Sequence, residues 1–309
     1  MEKYIIKRIL GTIPLMFVIS VLVFMFIHLI PGDPVRMMAG KDVTEQQLAV
    51  IRSDMGFNKP LPVQYINYMD NLFHGNLGMS YRTGLPVSKI IFSDLKPTLI
   101  LTLFAMLWST VLGITIGVVS AMNRGKLSDY VGMLMAISGI SVPGFWLGLV
   151  LIQIFAVQLG WVPTDGLGSW QSIILPSFTL GCGIMAILAR FSRSSMLDTM
   201  REDYIRTARA KGQSEVMVVL RHALRNSLLQ VVTVTGMQLG GLLAGSVLIE
   251  TVFSIPGLGR LMVDSINFRD YPVIQAELLF FSLEYILINL IVDLLYGVLN
   301  PKIRYQGEG

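Results

Sequence analysis

Residues 99–122 read LILTLFAMLWSTVLGITIGVVSAM, without one charged side chain. A helix rises about 1.5 Å per residue, so this stretch is long enough to cross the roughly 30 Å hydrocarbon core of a bilayer. Uncharged apolar blocks of this length read as transmembrane helices rather than as parts of a soluble core. The fold therefore turns on how many such blocks accompany it.

Working outward, five more apolar blocks are long enough, at about 10–30, 131–159, 171–189, 227–249 and 277–299, the last of them carrying Glu277, Glu284 and Asp293. The composition agrees: of 309 residues 53% are apolar and 14% charged, with a mean hydropathy of +0.64. Soluble domains carry about 25% charged residues. The expected fold is an all-α membrane protein of six transmembrane helices in one domain spanning 1–309. Lys3, Lys7 and Arg8 precede the first block as in a signal peptide. However, the apolar run from Leu10 to Ile30 is too long for one and no small-residue cleavage site follows, so a retained first span is expected. The 131–159 block contains Pro143, which predicts a kinked or tilted helix. Gly144 with Gly148, Gly236 with Gly240 and Gly241 with Gly245 have the spacing that lets helices approach closely in lipid.

The net charge of +4 and pI near 9.2 do not make a nucleic-acid footprint, because the basic residues cluster at the ends of the apolar blocks. Lys and Arg number three before the first span, two in 123–129, eight in 190–226 and two in the tail. The 160–170 loop has none and the 250–276 loop two. Short loops rich in Lys and Arg stay cytoplasmic, which places both termini in the cytoplasm. The 31–98 segment then lies outside. Within it, Thr44 and Gln47 form a capping box ahead of Leu48, Ile51 and Met55, with Gly56 as the stop. Pro62 opens a second helix with Tyr65, Tyr68, Met69 and Leu72 on one face, ended by Gly75.

Several kinds of chemistry find no residues here. The sequence has no G-x-x-x-x-G-K-[ST] phosphate loop, so ATP hydrolysis is not expected in this chain. Cys182 stands alone between two glycines and reads as a packing residue; His28, His74 and His222 share no ligand spacing. No metal, no cofactor and no catalytic residue is expected.

The most informative segment is REDYIRTARAKGQSEVMVVLRHALRN, residues 201–226. Asp203 to Lys211 is helix-forming and highly charged, and Gly212 interrupts it. Ser214 can cap a second helix, with Glu215 in its first turn. Val216, Val219, Leu220, Ala223 and Leu224 then form an apolar stripe opposite Arg221 and Arg225. Two short helices hinged at a glycine make a docking element; the same residues also suit a solvated basic loop that only sets topology.

This segment resembles the signature loop of binding-protein-dependent ABC permeases, whose pattern is E-A-A, three residues, Gly, nine residues, then I-x-L-P. Arg206, Thr207 and Ala208 take the first three places, Gly212 the glycine, and His222, Leu224 and Arg225 the end. The Glu, one Ala, the Ile and the Pro are absent. TARAKG and LRHALRN are similar to the way the oligopeptide/dipeptide/nickel branch writes this loop, with glutathione and dipeptide permeases nearest. KRILGTIPLMFVISVLVFMFIHLIPGDP at 7–34, LGWVPTDG at 159–166 and ILPSFTLG at 174–181 resemble the same branch. VFSIPGLGRLMVDSINFRDYPVIQA at 252–276 and NPKIRY at 300–305 extend the likeness over nearly the whole chain.

The resemblance implies a permease subunit of an ATP-driven importer for small peptides in the bacterial inner membrane. Its implied partners are a second permease, two ATP-binding subunits carrying the ATP and Mg, a periplasmic solute-binding protein, and lipid. Arg206, Ala208, Arg209, Ala210, Lys211 and Gly212 would be the coupling element, with the helix around Ala208 against the ATPase.

For the transport path the candidates are Glu250, Glu277, Glu284 and Asp293, since ionisable groups in a membrane are costly. Glu277 and Glu284 share a helix face, and Asp293 is turned about half a revolution from Glu284. Glu250 and Glu277 also suit interface depth, and Glu284 suits a buried hydrogen bond. The competing class is a proton-coupled secondary carrier working through these carboxylates.

Overall fold

The computed structural model describes residues 2–29, 35–36, 43–54, 56–164 and 166–299. Among them there is no strand, only an isolated antiparallel bridge between Met79 and Pro86. The chain opens with α1 (Glu2–Leu29), followed by the short helices α2 (Glu45–Asp54) and α3 (Leu61–Phe73). α2 starts at the expected box: the Gln47 amide N–H reaches Thr44 Oγ1 at 3.4 Å, and the Thr44 N–H donates to Gln47 Oε1 at 3.0 Å. Gly56 and Gly75 end the two helices at positive φ, 74° and 73°. Met55 lies outside the described residues. The Tyr65 and Tyr68 side of α3 lies on α1, with the Tyr65 hydroxyl 2.7 Å from Ser20 Oγ and the Tyr65 ring edge-on to Phe24.

The bundle is organised around α4 (Val87–Met122) and α7 (Ile174–Thr199). A Cβ at Gly113 would stand 2.8 Å from Leu188 Cβ, and one at Gly117 2.5 Å from the Ala189 carbonyl oxygen. This pair, not one of the three expected glycine pairs, makes the closest crossing with α7. Gly236 and Gly240 do pack as expected, against Val292 and Tyr285, whereas a Cβ at Gly241 would meet nothing. α4 begins twelve residues before the expected 99, so its first turns are helical where the sequence places the end of the 31–98 segment. Pro86 leads into the helix, and Pro97 sits inside without ending it.

The expected kink in the third span is instead a break. α5 (Leu127–Ser141) and α6 (Gly144–Leu151, continued by a π-helical turn Ile152–Gln158) meet at 101°. Val142 and Pro143 are both extended, with ψ of 122° and 128°. A proline pushes its predecessor out of the helical region, and two extended residues in series turn the chain.

α8 (Asp203–Ala210) follows α7 directly. The second docking helix foreseen in the sequence is not separate: Glu215–Met217 runs through a π-helical turn (Val218–Ala223) into α9 (Leu224–Val252). The chain closes with α10 (Leu258–Phe268) and α11 (Tyr271–Leu299). By length and apolarity α4, Gln171–Thr199 and Tyr271–Val292 can each cross a membrane alone. The α5–α6 pair and α9, bent by 52° between Leu242 and Gly245, bring the number to five, and α1 adds the apolar stretch Leu10–Phe26. Leu103, Leu107 and Leu134 are each more than 60% exposed, as side chains facing lipid or another subunit must be.

Candidate functional site: the glycine junction and the intramembrane carboxylates

The two ends of α4 mark two working regions. At one end Ala121 packs with Met196, Ile205, Ala208, Val218, Val219 and Ala223. This cluster holds α8 against the bundle. Ile205 is 0% and Ala208 6% exposed, while Arg206, Arg209, Ala210, Lys211 and Gly212 face outward. Ala208 therefore belongs to the chain's own core rather than to a surface for a partner.

Gly212 closes α8 in a Schellman arrangement. Its N–H donates to the Arg209 carbonyl at 2.9 Å, and the Gln213 N–H reaches the Ala208 carbonyl at 3.4 Å. Its φ of 76° is one that L side chains rarely adopt, although a Cβ there would meet nothing within 4 Å. Across the turn, Arg209 clamps Glu215 through two charge-assisted bonds, Nη2 to Oε1 at 2.6 Å and Nε to Oε2 at 3.0 Å. That guanidinium holds the Glu215 carboxyl below the usual carboxylate range. Asn226 Nδ2 donates to the Tyr204 hydroxyl at 2.6 Å, a second tie between α8 and α9. Ser214 occupies the cap position, but its side chain makes no capping bond.

The expected apolar stripe is only partly inward. Val219 and Ala223 are buried, joined by Val218, while Val216 and Leu220 are 62% and 57% exposed. The π turn is wider than 3.6 residues, so the buried face drifts away from the α-helical register. Nearby, Arg193 pairs bidentately with the buried Asp129, Nε to Oδ1 at 2.6 Å and Nη2 to Oδ2 at 2.8 Å. In the sequence Arg193 is only one more basic residue of the 190–226 segment; no local spacing reveals a partner 64 residues away.

At the other end of α4 the carboxylates separate by role. Glu250, 0% exposed, accepts from Thr98 Oγ1 at 2.7 Å and from the Arg260 N–H at 3.1 Å. Thr98 Oγ1 in turn accepts from the Leu258 N–H at 2.9 Å. Glu250 and Thr98 thus cap α10 from outside it, satisfying amides that its first turn leaves open. The glycines of SIPGLG are explained by this: a Cβ at Gly257 would lie 2.5 Å from Glu250 Cδ, and one at Gly259 2.4 Å from Val247 Cα.

Glu277 is 1% exposed, lies within electrostatic reach of Asp94 and Glu250, and neither of its oxygens finds a donor among the described residues. One Glu284 oxygen is buried and unpartnered as well. The Asp293 side chain lies outside the described residues. Asp270 was not singled out in the sequence, yet it anchors the turn before α4: it accepts from Ser80 Oγ at 2.5 Å and from the Tyr81 N–H at 3.0 Å.

The family model described as "Binding-protein-dependent transport system inner membrane component" matches residues 113–305, which take in α8, Gly212 and all four carboxylates. Its companion for the N-terminal part of the same component matches residues 1–102. The chain belongs to this permease family. The glutathione transport system permease proteins GsiC of Escherichia coli (strain K12) and Salmonella typhi are each 52% identical to it over 306 residues, 99% of this chain and 100% of theirs. Among solved structures, the inward-facing MetNI methionine ABC transporter aligns with a TM-score of 0.59 at 20% identity, over 69% of this chain and 97% of that one. An amino acid ABC transporter with histidines aligns at 0.55 and 17%, over 68% and 94%. These two bear on the fold alone. The chain is thus an apolar, helical membrane component of this permease family, as its sequence led one to expect.

Proposed function

We propose that this chain is one of two permease subunits of an ATP-driven importer that carries small peptides or glutathione-like solutes from the periplasm to the cytoplasm. It sits in the bacterial inner membrane with six spans and both termini in the cytoplasm. Two ATP-binding subunits dock where Arg206, Arg209, Ala210, Lys211 and Gly212 are presented, and they hold the ATP and Mg. A periplasmic binding protein delivers the solute to the opposite face. The observation that carries this reading is full-length likeness to glutathione permeases, supported by an outward-facing basic helix fixed to the bundle by Ile205 and Ala208.

The test is uptake of a labelled tripeptide into proteoliposomes. Uptake is expected only when this chain is reconstituted with its cognate permease, ATPases and loaded binding protein, and only with ATP. Uptake by this chain alone, driven by a proton gradient, would overturn the subunit reading. In cells, with Cys182 replaced by serine, a cysteine at Asn58 should react with an impermeant thiol reagent and one at Lys126 should not. The reverse pattern would invert the orientation.

A further inference from the structure

A cleft of about 260 Å³ opens at the Val87 end of the bundle, away from the Gly212 junction, between α1, α3, the 76–81 loop and the start of α11. Its size lies just below the range of about 300–1,000 Å³ in which small-molecule sites fall. Its chemistry is unusual for a membrane protein surface: none of its lining residues is charged, and five are carboxamides. Gln64, Asn67 and Asn71 come from one face of α3, spaced as residues that share a helix face are spaced. Gln275 faces them from α11, and Tyr68 and Tyr81 supply aromatic wall.

Some of these amides are committed to the frame. Asn76 Nδ2 donates to Asn71 Oδ1 at 3.3 Å, and Asn76 Oδ1 accepts from the Gly78 N–H at 3.0 Å. The side chains of Asn67 and Gln275 make no hydrogen bond among the described residues. Each therefore offers an oxygen acceptor and an NH₂ donor, the complement of the N–H and C=O of a peptide unit. The Tyr68 hydroxyl is buried and has no partner among the described residues. A free carboxylate or ammonium buried in a charge-free cleft would go unpaired, at a large desolvation cost.

We infer that this cleft binds short peptides through their backbone amides, with Asn67 and Gln275 as the paired contacts, independently of side-chain sequence and of the charged termini. This rests on the peptide reading above and adds to it a contact site on the outer face of this subunit, on its α1–α3 side.

The experiment uses the full chain in lipid nanodiscs and saturation-transfer NMR with N-acetyl-trialanine amide as the probe. Binding is expected. It should weaken about tenfold in the Asn67→Leu/Gln275→Leu double variant, the loss of roughly two ordinary hydrogen bonds. It should weaken similarly when the probe's backbone nitrogens are methylated. Equal binding of the methylated probe, undiminished binding by the correctly folded double variant, or binding of maltose with none of the peptide would each overturn the inference. Binding is read on this chain alone and transport on the assembled importer, so the two readings fail separately. Peptide uptake with no peptide bound here refutes the cleft; peptide bound here with no peptide uptake refutes the substrate class.

Discussion

α9 is bracketed by two glycine junctions whose glycines exist for opposite reasons. Gly212, before it, has open space around it and a φ of 76°. Gly257 and Gly259, after it, have negative φ or none that demands glycine, and no space: added carbons would stand 2.5 Å and 2.4 Å from their neighbours. The first junction needs a conformation and leaves its surface free. The second needs a close approach and hides everything it touches, Glu250 included. A surface left free is where another protein can act, while a junction packed shut can only serve the fold.

The comparison breaks first at Gly259. Gly259→Val drives two methyl groups into the backbone of α9, and overpacking of this kind costs about 1–3 kcal/mol or more. The expected outcome is loss of most monodisperse protein in fluorescence-detected size exclusion. Protein at wild-type yield would mean that α10 can move away from Val247. Next, Glu250→Ala should lower the melting temperature in nanodiscs, since losing a cap costs about 0.5–2 kcal/mol. Glu250→Gln, which keeps one acceptor for Thr98, should lower it less, and a transport defect in Glu250→Gln at wild-type stability would return Glu250 to the transport path.

Gly212 should behave differently. Gly212→Ala imposes the left-handed penalty of about 1–2 kcal/mol on an exposed turn, so the protein should stay abundant while ATP-driven uptake falls several-fold. Gly212→Asn should recover part of that uptake, because asparagine tolerates this conformation. Equal loss in both would point to bulk rather than backbone. The smallest effect belongs to Glu215. Its carboxyl is held low by Arg209, so the clamp's contribution is present above the ordinary carboxylate range and is lost as pH falls through the depressed value. Glu215→Gln should lower stability by less than about 1 kcal/mol at neutral pH, with no difference from wild type once the carboxylate is protonated. A persistent difference at low pH would mean that the clamp is not ionic.

Much of this was legible in the sequence because it is periodic or local. The uncharged blocks, the Thr44–Gln47 box, the Gly212 turn and the Gly236–Gly240 crossing are all set by neighbours within a few residues. What was not legible depends on distant partners. Glu250 reads as an intramembrane charge until Thr98, 152 positions away, and Arg260 turn it into a helix cap. Ala208 reads as a small residue for a partner's surface until Ala121 and Val218 cover it. An aspartate at position 208 would therefore disturb this chain's own packing before it tested any docking. Val216 and Leu220 join the buried stripe only at an α-helical period, and the π turn shifts that period. The Val142–Pro143 break was visible as a proline but not as a 101° turn, whose size depends on two extended residues in series.

α4 spans 36 residues, a rod of about 54 Å, well beyond what a bilayer core alone requires. One end is gripped by the Ile205–Ala208 cluster and the other by Leu258 and Val273, beside the amide-lined cleft. A continuous helix resists compression far better than a loop does. Between those ends α4 bears on α7 from Leu101 against Leu175 to Gly113 and Gly117 against Leu188 and Ala189, so the two gripped ends are joined by one braced rod. Pro97 is the one residue along it that lacks an N–H for the ladder, and the helix continues through it.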